Sequence, residues 1–111
     1  MALTITNIIA RQEVLATTNI LYTATGVTTV IDKFTVTNTG AANAQITVYL
    51  PNSGSSPATS NLIIDARTLG TRETYTCPEL VGQVLPDGSF IATRASTANT
   101  LTVSASGTEI S

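Results

Sequence analysis

Two neighbouring segments in the middle of the chain alternate between apolar and polar residues. In residues 30–38 the even positions are mainly apolar, and the odd positions from Lys33 onward are polar. Residues 44–50 repeat this pattern, with the even positions apolar again. A period of two is typical of a strand with one buried and one wet face. Because only residues 39–43 separate the segments, we expect a hairpin of antiparallel neighbours.

Strand-like segments recur along the rest of the chain, and turn signals separate them at about the 8–12-residue spacing of β-sandwiches. About one residue in five is threonine, and with valine and isoleucine it gives the β-branched excess that favours strands. The sequence therefore predicts an all-β fold, a single antiparallel β-sandwich or jelly roll of about eight strands. The further strands are expected at residues 3–9, 15–23, 61–68, 73–76, 89–95 and 100–105.

Proline and glycine mark the connections. Residues 85–89 (LPDGS) combine a φ preset by Pro86, an Asp87 side chain that can bond its own backbone and a glycine for the positive φ of a turn, so they should launch the strand that follows. Residues 79–85 have room for one helical turn, which Pro86 would stop. Residues 8–16 allow either a helical turn or a bent extended arm, and we favour the extended form.

The alternation also predicts the core and exposes one conflict. Asp32 occupies an even position, as do the apolar residues around it, so its parity predicts a buried side chain. Either this parity breaks at the sheet end, or a buried carboxylate pairs with Arg67 or Arg94. We favour the first interpretation, because strand ends often break alternation. The predicted core residues are Val30, Phe34, Val36, Ile46, Val48, Ile64, Ile91, Leu101 and Val103.

Length and charge limit the organisation and the partners. With 111 residues, a single β-sandwich domain over 1–111 is expected, with a possible N-terminal arm at residues 1–14. Only 11% of the residues are charged, and so few charges favour self-association. The five cations are scattered, so we expect no nucleic-acid binding. We expect neither a membrane span nor a secretory signal, and therefore synthesis in a reducing cytoplasm.

Little in the sequence suggests catalysis. The chain contains no histidine and one cysteine, so histidine-dependent nucleophilic mechanisms are excluded, and we expect no catalytic residue, no cofactor and no metal site. Cys77 is interpreted as a small semi-buried filler rather than a reactive thiol. Glu73, Glu79 and Asp87 are interpreted as ordinary acids of turns, with a glycosidase-type pair as the rival hypothesis.

Tyrosines offer a second function class. If Tyr22, Tyr49 and Tyr75 gathered on one exposed face, they could form a sugar platform. The more ordinary interpretation is that they cover a subunit contact or cap the core. A carbohydrate-binding module therefore stays as an alternative.

Four segments resemble those of small tailed-bacteriophage virion proteins: residues 34–40 (FTVTNTG), 46–51 (ITVYLP), 82–92 (GQVLPDGSFIA) and 105–110 (ASGTEI). The resemblance covers residues from about 30 to the end. It implies a β-sandwich or jelly-roll module that decorates and cements a capsid by binding the major capsid protein, or that serves as a head-tail or tail adaptor. It also implies a location in the virion after synthesis in the host cytoplasm, and a symmetric homo-oligomer, with a trimer favoured.

Two segments are the predicted partner contacts. The N-terminal residues carry apolar side chains whose exposure to water is unfavourable. They are therefore expected to form either a docking arm or the first strand of the chain's own sandwich, with the strand slightly favoured. The second segment is an exposed, mobile loop rich in serine and bounded by prolines. The predicted contact residues are Leu3, Ile5, Ile8, Ile9, Pro51, Asn52, Ser53, Gly54, Ser55, Ser56 and Pro57.

Overall fold

The computed structural model describes residues 2–111, and these form two antiparallel sheets that pack face to face. The all-β sandwich expected from the alternating pattern is confirmed, and residues 2–111 contain no α-helix. A 3₁₀ turn covers Thr59–Asn61. The strands of the described chain are β1 (Leu3–Glu13), β2 (Asn19–Thr23), β3 (Thr28–Asn38), β4 (Ala44–Tyr49), β5 (Leu62–Leu69), β6 (Thr74–Tyr75), β7 (Val84–Leu85), β8 (Phe90–Ala95) and β9 (Leu101–Ile110).

Both sheets join strands that are distant in sequence, and in the second sheet the consecutive β4 and β5 also pair. The first sheet has the order β1-β9-β3-β6, and β7 also pairs with β3. The second sheet has the order β2-β8-β4-β5. The longest ladder joins β3 to β9, from Thr28 opposite Ile110 to Asn38 opposite Leu101. This ladder places the C-terminal strand in the middle of the first sheet.

The predicted hairpin between the two central strands is wrong, because β3 and β4 belong to different sheets. The connection through residues 39–43 is an arch that crosses from one sheet to the other. The buried Asn38 side chain holds it: Nδ2 donates to the carbonyl oxygens of Ala42 at 2.9 Å and Leu69 at 3.0 Å, and Oδ1 accepts from the Gly40 amide at 2.9 Å. The amide thus bonds two backbone groups of the arch and one at the end of β5, where a hairpin would have formed a ladder.

The core lies between the two sheets and is almost entirely aliphatic, with Phe34 as its aromatic member. Val30 was predicted in this core, and that prediction is wrong, since its side chain is half-buried on the other face of the first sheet. The other predicted core residues are confirmed as buried: Phe34, Val36, Ile46, Val48, Ile64, Ile91, Leu101 and Val103.

The turn before β8 follows its prediction with one difference. Gly88 has a φ of +88°, and the Ser89 amide donates to the Pro86 carbonyl at 2.9 Å. Asp87 does not bond its own turn, because its carboxylate accepts from the Gly26 amide at 2.8 Å and so ties this turn to the one before β3.

Several segments differ from their predictions, and the first strand, predicted at residues 3–9, continues to Glu13. Residues 15–23 form a strand only from Asn19 onward, whereas β9 continues five residues beyond the predicted end at Ala105. Residues 79–85 form turns and the short β7 in place of a helical turn. The extended form favoured for residues 8–16 is confirmed as far as Glu13.

Candidate protein-binding surface

A single extra residue in β3 decides which side chains reach the outer face of the first sheet. The register with β9 shifts between Ile31, which faces Gly107, and Lys33, which faces Ser106. Asp32 is the residue left over, as in a β-bulge. Before it the odd positions of β3 point inward, and after it the even positions do, as the burial of Ile31 and Phe34 shows.

The parity change explains the Asp32 conflict. Asp32 is exposed, and its carboxylate accepts a hydrogen bond from the Thr108 hydroxyl at 2.8 Å. The interpretation that the parity breaks is confirmed, but it breaks at a bulge inside the strand and not at the sheet end. The alternative of a buried pair with an arginine is wrong.

Because the parity changes, one end of the outer face is apolar. Residues paired across neighbouring strands share a face, so Ile5, Thr108, Val30 and Val84 form one row over β1, β9, β3 and β7. Leu3, paired with Ile110, lies in the adjacent row. The exposed fractions are 83% for Ile5, 64% for Leu3 and 53% for Val84, which is unusual for large aliphatic side chains on one surface. We call Leu3, Ile5, Val30, Val84 and Ile110 the apolar end.

The middle of the same face has a different chemistry. A groove with a volume of about 540 Å³ lies over β9, where small side chains such as Ser104 and Ser106 lie between longer ones on β1 and β3. Arg11 contributes from β1 and Lys33 from β3, and no Asp or Glu lines the groove. This cationic groove therefore gathers two of the chain's five positive charges, in a protein whose net charge is −2.

Strand β1 is the edge of the first sheet, since it pairs with β9 alone. Its register is interrupted between Thr6 and Ile9 and again between Ile9 and Gln12. Bulges and charges such as Arg11 and Glu13 are devices that protect sheet edges from pairing with other chains. The stretch Leu3 to Thr6 has neither, so its edge is open beside the apolar end.

The Asn7 side chain lies at the first interruption and lines the groove. With its amide nitrogen oriented toward them, it donates to the carbonyl oxygens of Ile9 and Ala105, each at 2.8 Å. The amide thus gives two carbonyl oxygens a hydrogen-bond donor at the place where the ladder is interrupted.

The structure divides the predicted N-terminal contacts into two groups. The segment is the first strand of the chain's own sheet, as the slightly favoured alternative held. Leu3 and Ile5 are exposed on its outer face, whereas Ile8 and Ile9 are buried in the core. Only the first pair is placed to touch another molecule.

The predicted loop contacts are exposed except at their boundaries. Asn52, Ser53, Gly54, Ser55 and Ser56 are exposed, Pro57 is half-buried and Pro51 is buried. The Pro51 carbonyl accepts from the Phe90 amide at 3.1 Å. Ser53 lies so close to Gly88 that a β-carbon there would come within 2.7 Å of the serine Cβ. The loop is therefore fastened to the start of β8, and the structure does not bring it together with the apolar end on one sheet face.

Tyr22 and Tyr75 both face the inside of the sandwich rather than a common platform. The Tyr22 hydroxyl, from the second sheet, lies 2.7 Å from the Thr29 hydroxyl and donates to the Glu109 carboxylate of the first sheet at 2.5 Å. Burial, and then the hydrogen bond to Glu109, raise the pKa of Tyr22 above its usual 10. Tyr49 points to the outer face of the second sheet, opposite Ala92. The three tyrosines are thus separated.

Tyr75 closes one side of the sandwich. Its ring lies under the Arg67 guanidinium, 4.1 Å from ring centroid to Cζ, which links edge strand β6 of one sheet to edge strand β5 of the other. Its hydroxyl donates to the Glu79 carboxylate at 2.5 Å, and this bond lowers the pKa of Glu79. These contacts give the ring a structural role.

The three candidate acids are each engaged at a turn. Glu73 accepts from the Gly70 amide at 2.6 Å, Asp87 from Gly26, and Glu79 from Tyr75. The interpretation that they serve turns fits this placement.

Cys77 is fully buried, so the filler interpretation is confirmed and its burial is more complete than expected. Burial raises the pKa of the Cys77 thiol to about 12, and the reactive thiolate is therefore scarce at neutral pH.

Sequence reasoning named Leu3 and Ile5, which are exposed on this face, but it did not single out Val30, Val84, Arg11 and Lys33, which also lie there. The available signal was the parity conflict at Asp32, which marks the bulge. Among residues 2–111 there is no cluster of three metal-ligating side chains and no helix long and apolar enough to cross a membrane. Comparisons of the chain with protein-family models, with curated proteins and with solved structures give no match.

Proposed function

We propose that this chain is a structural protein of a tailed-bacteriophage virion, most specifically a capsid decoration protein that binds and stabilises the lattice of the major capsid protein. Its place is the virion surface, after synthesis in the host cytoplasm. The function is mechanical, because the protein adds contacts across a lattice. Many contacts that are weak singly bind tightly together through multivalency.

One observation carries the proposal. The apolar end presents Leu3, Ile5 and Val84 to solvent on a sheet face beside an open strand edge. A monomeric protein gains nothing from such a surface, whereas a protein that lies against a partner buries it. The open edge at Leu3 to Thr6 adds backbone groups that a strand of the partner can pair with.

The kind of partner comes from the resemblance of residues 30–110 to small virion proteins. A head-tail or tail adaptor would use the same surface, and the position in the particle separates the two. The resemblance also favours a homotrimer, which sedimentation at tens of micromolar would detect as a mass three times the 11.5 kDa of the chain. A carbohydrate-binding role lacks support, because the three tyrosines do not share a face.

The test is co-sedimentation of the purified chain with empty, matured shells of the phage whose genome encodes it. We expect saturable binding. Ile5→Asp should weaken it by about tenfold or more, as expected when a charge replaces an apolar anchor. Ile20→Asp is the matched control, because Ile20 is 55% exposed on edge strand β2 of the second sheet.

Failure of the wild-type chain to bind shells rejects the decoration role, and binding to isolated necks or tails would indicate the adaptor. Equal weakening by Ile5→Asp and Ile20→Asp would reject the assignment of the surface.

A further inference from the structure

The cationic groove differs from the apolar end, and it implies a chemical property of the partner. Arg11 and Lys33 extend from strands on either side of β9, and the hydroxyls of Thr35, Ser104 and Ser106 line the space between them. With no acidic residue in the lining, neither positive charge is neutralised within the groove. A ligand with carboxylates would supply the missing negative charge and accept hydrogen bonds from the serine and threonine hydroxyls.

We propose that the cationic groove binds an acidic, extended segment of the partner protein, with carboxylates of that segment between Arg11 and Lys33. For the identity of the partner the inference rests on the proposed function. The volume of about 540 Å³ lies within the usual range of protein ligand sites, about 300–1,000 Å³. The groove is also open along the sheet face, which suits an extended segment.

Two features of this face favour a protein segment over a nucleic acid. A nucleic-acid site needs a larger set of clustered cations than the two present here, and the chain as a whole is negative. The groove also continues to Ile5, which belongs to the apolar end. A partner that places carboxylates in the groove and aliphatic side chains on Leu3 and Ile5 matches both parts of the face.

The direct test uses a fluorescent octapeptide of alternating glutamate and valine, with the glutamine-valine peptide as the neutral control. Fluorescence anisotropy should show binding of the acidic peptide to the wild-type chain and no binding of the neutral one. The double variant Arg11→Ala, Lys33→Ala should lower the affinity by about tenfold or more, because the loss of close charge pairs at an interface weakens binding by at least that factor.

Arg94→Ala is the matched control, since Arg94 is exposed on β8 of the second sheet and pairs with Thr47, away from the groove. It should change the affinity by less than about twofold. Lys33→Met keeps the length of the side chain without its charge and should reproduce part of the loss. A urea-unfolding curve for each variant confirms that the fold is kept.

In the peptide experiment, three outcomes overturn the inference: no binding of the acidic peptide, an equal loss in Arg94→Ala, or displacement of the peptide by oligothymidylate of higher affinity, which would assign the groove to nucleic acid. The shells separate this inference from the proposed function. If the double variant binds shells as tightly as the wild type, the groove assignment fails and the decoration role stands. If the peptide binds the groove but shells are not bound, the decoration role fails and the groove assignment stands.

Discussion

The two halves of β3 show how one strand can serve the core and the surface. In the C-terminal half, Phe34 and Val36 are fully buried and face Ala105 and Val103 on β9. In the N-terminal half the inward positions are Thr29 and Ile31, and Val30 points outward. Both halves alternate, but odd-numbered residues face the core before Asp32 and even-numbered residues face it afterwards, because Asp32 is an extra residue between the halves.

The difference teaches that a bulge re-aims side chains without ending the strand. Without Asp32 in excess, Val30 would lie in the core and the apolar end would lose its central residue. The bulge also turns Asp32 and Lys33 to the surface together, and Lys33 becomes a wall of the cationic groove. The site we propose therefore depends on the same irregularity that separates the two halves.

The largest expected effect contrasts Phe34 with Val30. Phe34→Ala should lower the free energy of unfolding by about 3–5 kcal/mol, as is usual for a buried aromatic. Val30→Ala should cost less than about 1 kcal/mol, because its side chain is half-buried on the outer face. Urea unfolding of both variants measures the difference, and equal losses would mean that the halves do not differ in parity.

The next effect contrasts two polar residues of the same strand. Asn38→Ala removes two hydrogen bonds within the arch and one from the arch to the Leu69 carbonyl of β5, so we expect a loss of about 2–3 kcal/mol. Asp32→Ala removes one exposed hydrogen bond, to Thr108, and should cost about 0.5 kcal/mol or less. If Asn38→Ala were as mild as Asp32→Ala in urea unfolding, the arch would be held by other contacts.

A third test concerns the residue opposite the bulge. A β-carbon on Gly107 would come within 2.6 Å of the Val30 carbonyl oxygen, and backbone cannot move aside cheaply. Gly107→Ala should cost about 1–3 kcal/mol, as overpacking usually does. Ser106→Ala is the neighbouring control and should be nearly neutral. A harmless Gly107→Ala would show that the two strands are farther apart at the bulge than described here.

The smallest effect is a pH dependence tied to the N-terminal half. The pKa of Tyr22 is raised in the fold by burial and by the hydrogen bond to Glu109, so the folded state holds its proton more tightly than the unfolded state. Its contribution to stability is complete below the ordinary tyrosine pKa of 10 and is lost as the pH rises through the higher folded value.

Tyr22→Phe should therefore reduce the decline in unfolding free energy above about pH 10. It should not abolish that decline, because Cys77, with its pKa of about 12, loses stability in the same direction above the ordinary thiol value of 9. Parallel curves for wild type and Tyr22→Phe would show that this hydroxyl does not link the sheets.

Local patterns in the sequence determined the fold class and much of the core. The alternation around Phe34 and Ile46 identified two strands and the buried faces there correctly, because the period of two is a property of the extended backbone alone. The turn chemistry of residues 85–89 likewise placed the start of β8. The apolar first segment was expected as a strand, but the sequence did not separate the exposed Leu3 and Ile5 from the buried Ile8 and Ile9.

Only the tertiary structure decided which sheet each strand joins and where the parity changes. Backbone ladders use groups that every residue has, so the sequence does not mark β9 as the partner of β3, and the short link to β4 suggested a hairpin instead. The bulge at Asp32 depends on the fit of two strands that are about 70 residues apart. The cationic groove depends on that register as well, because Arg11 and Lys33 line the same groove only when β1 and β3 flank β9.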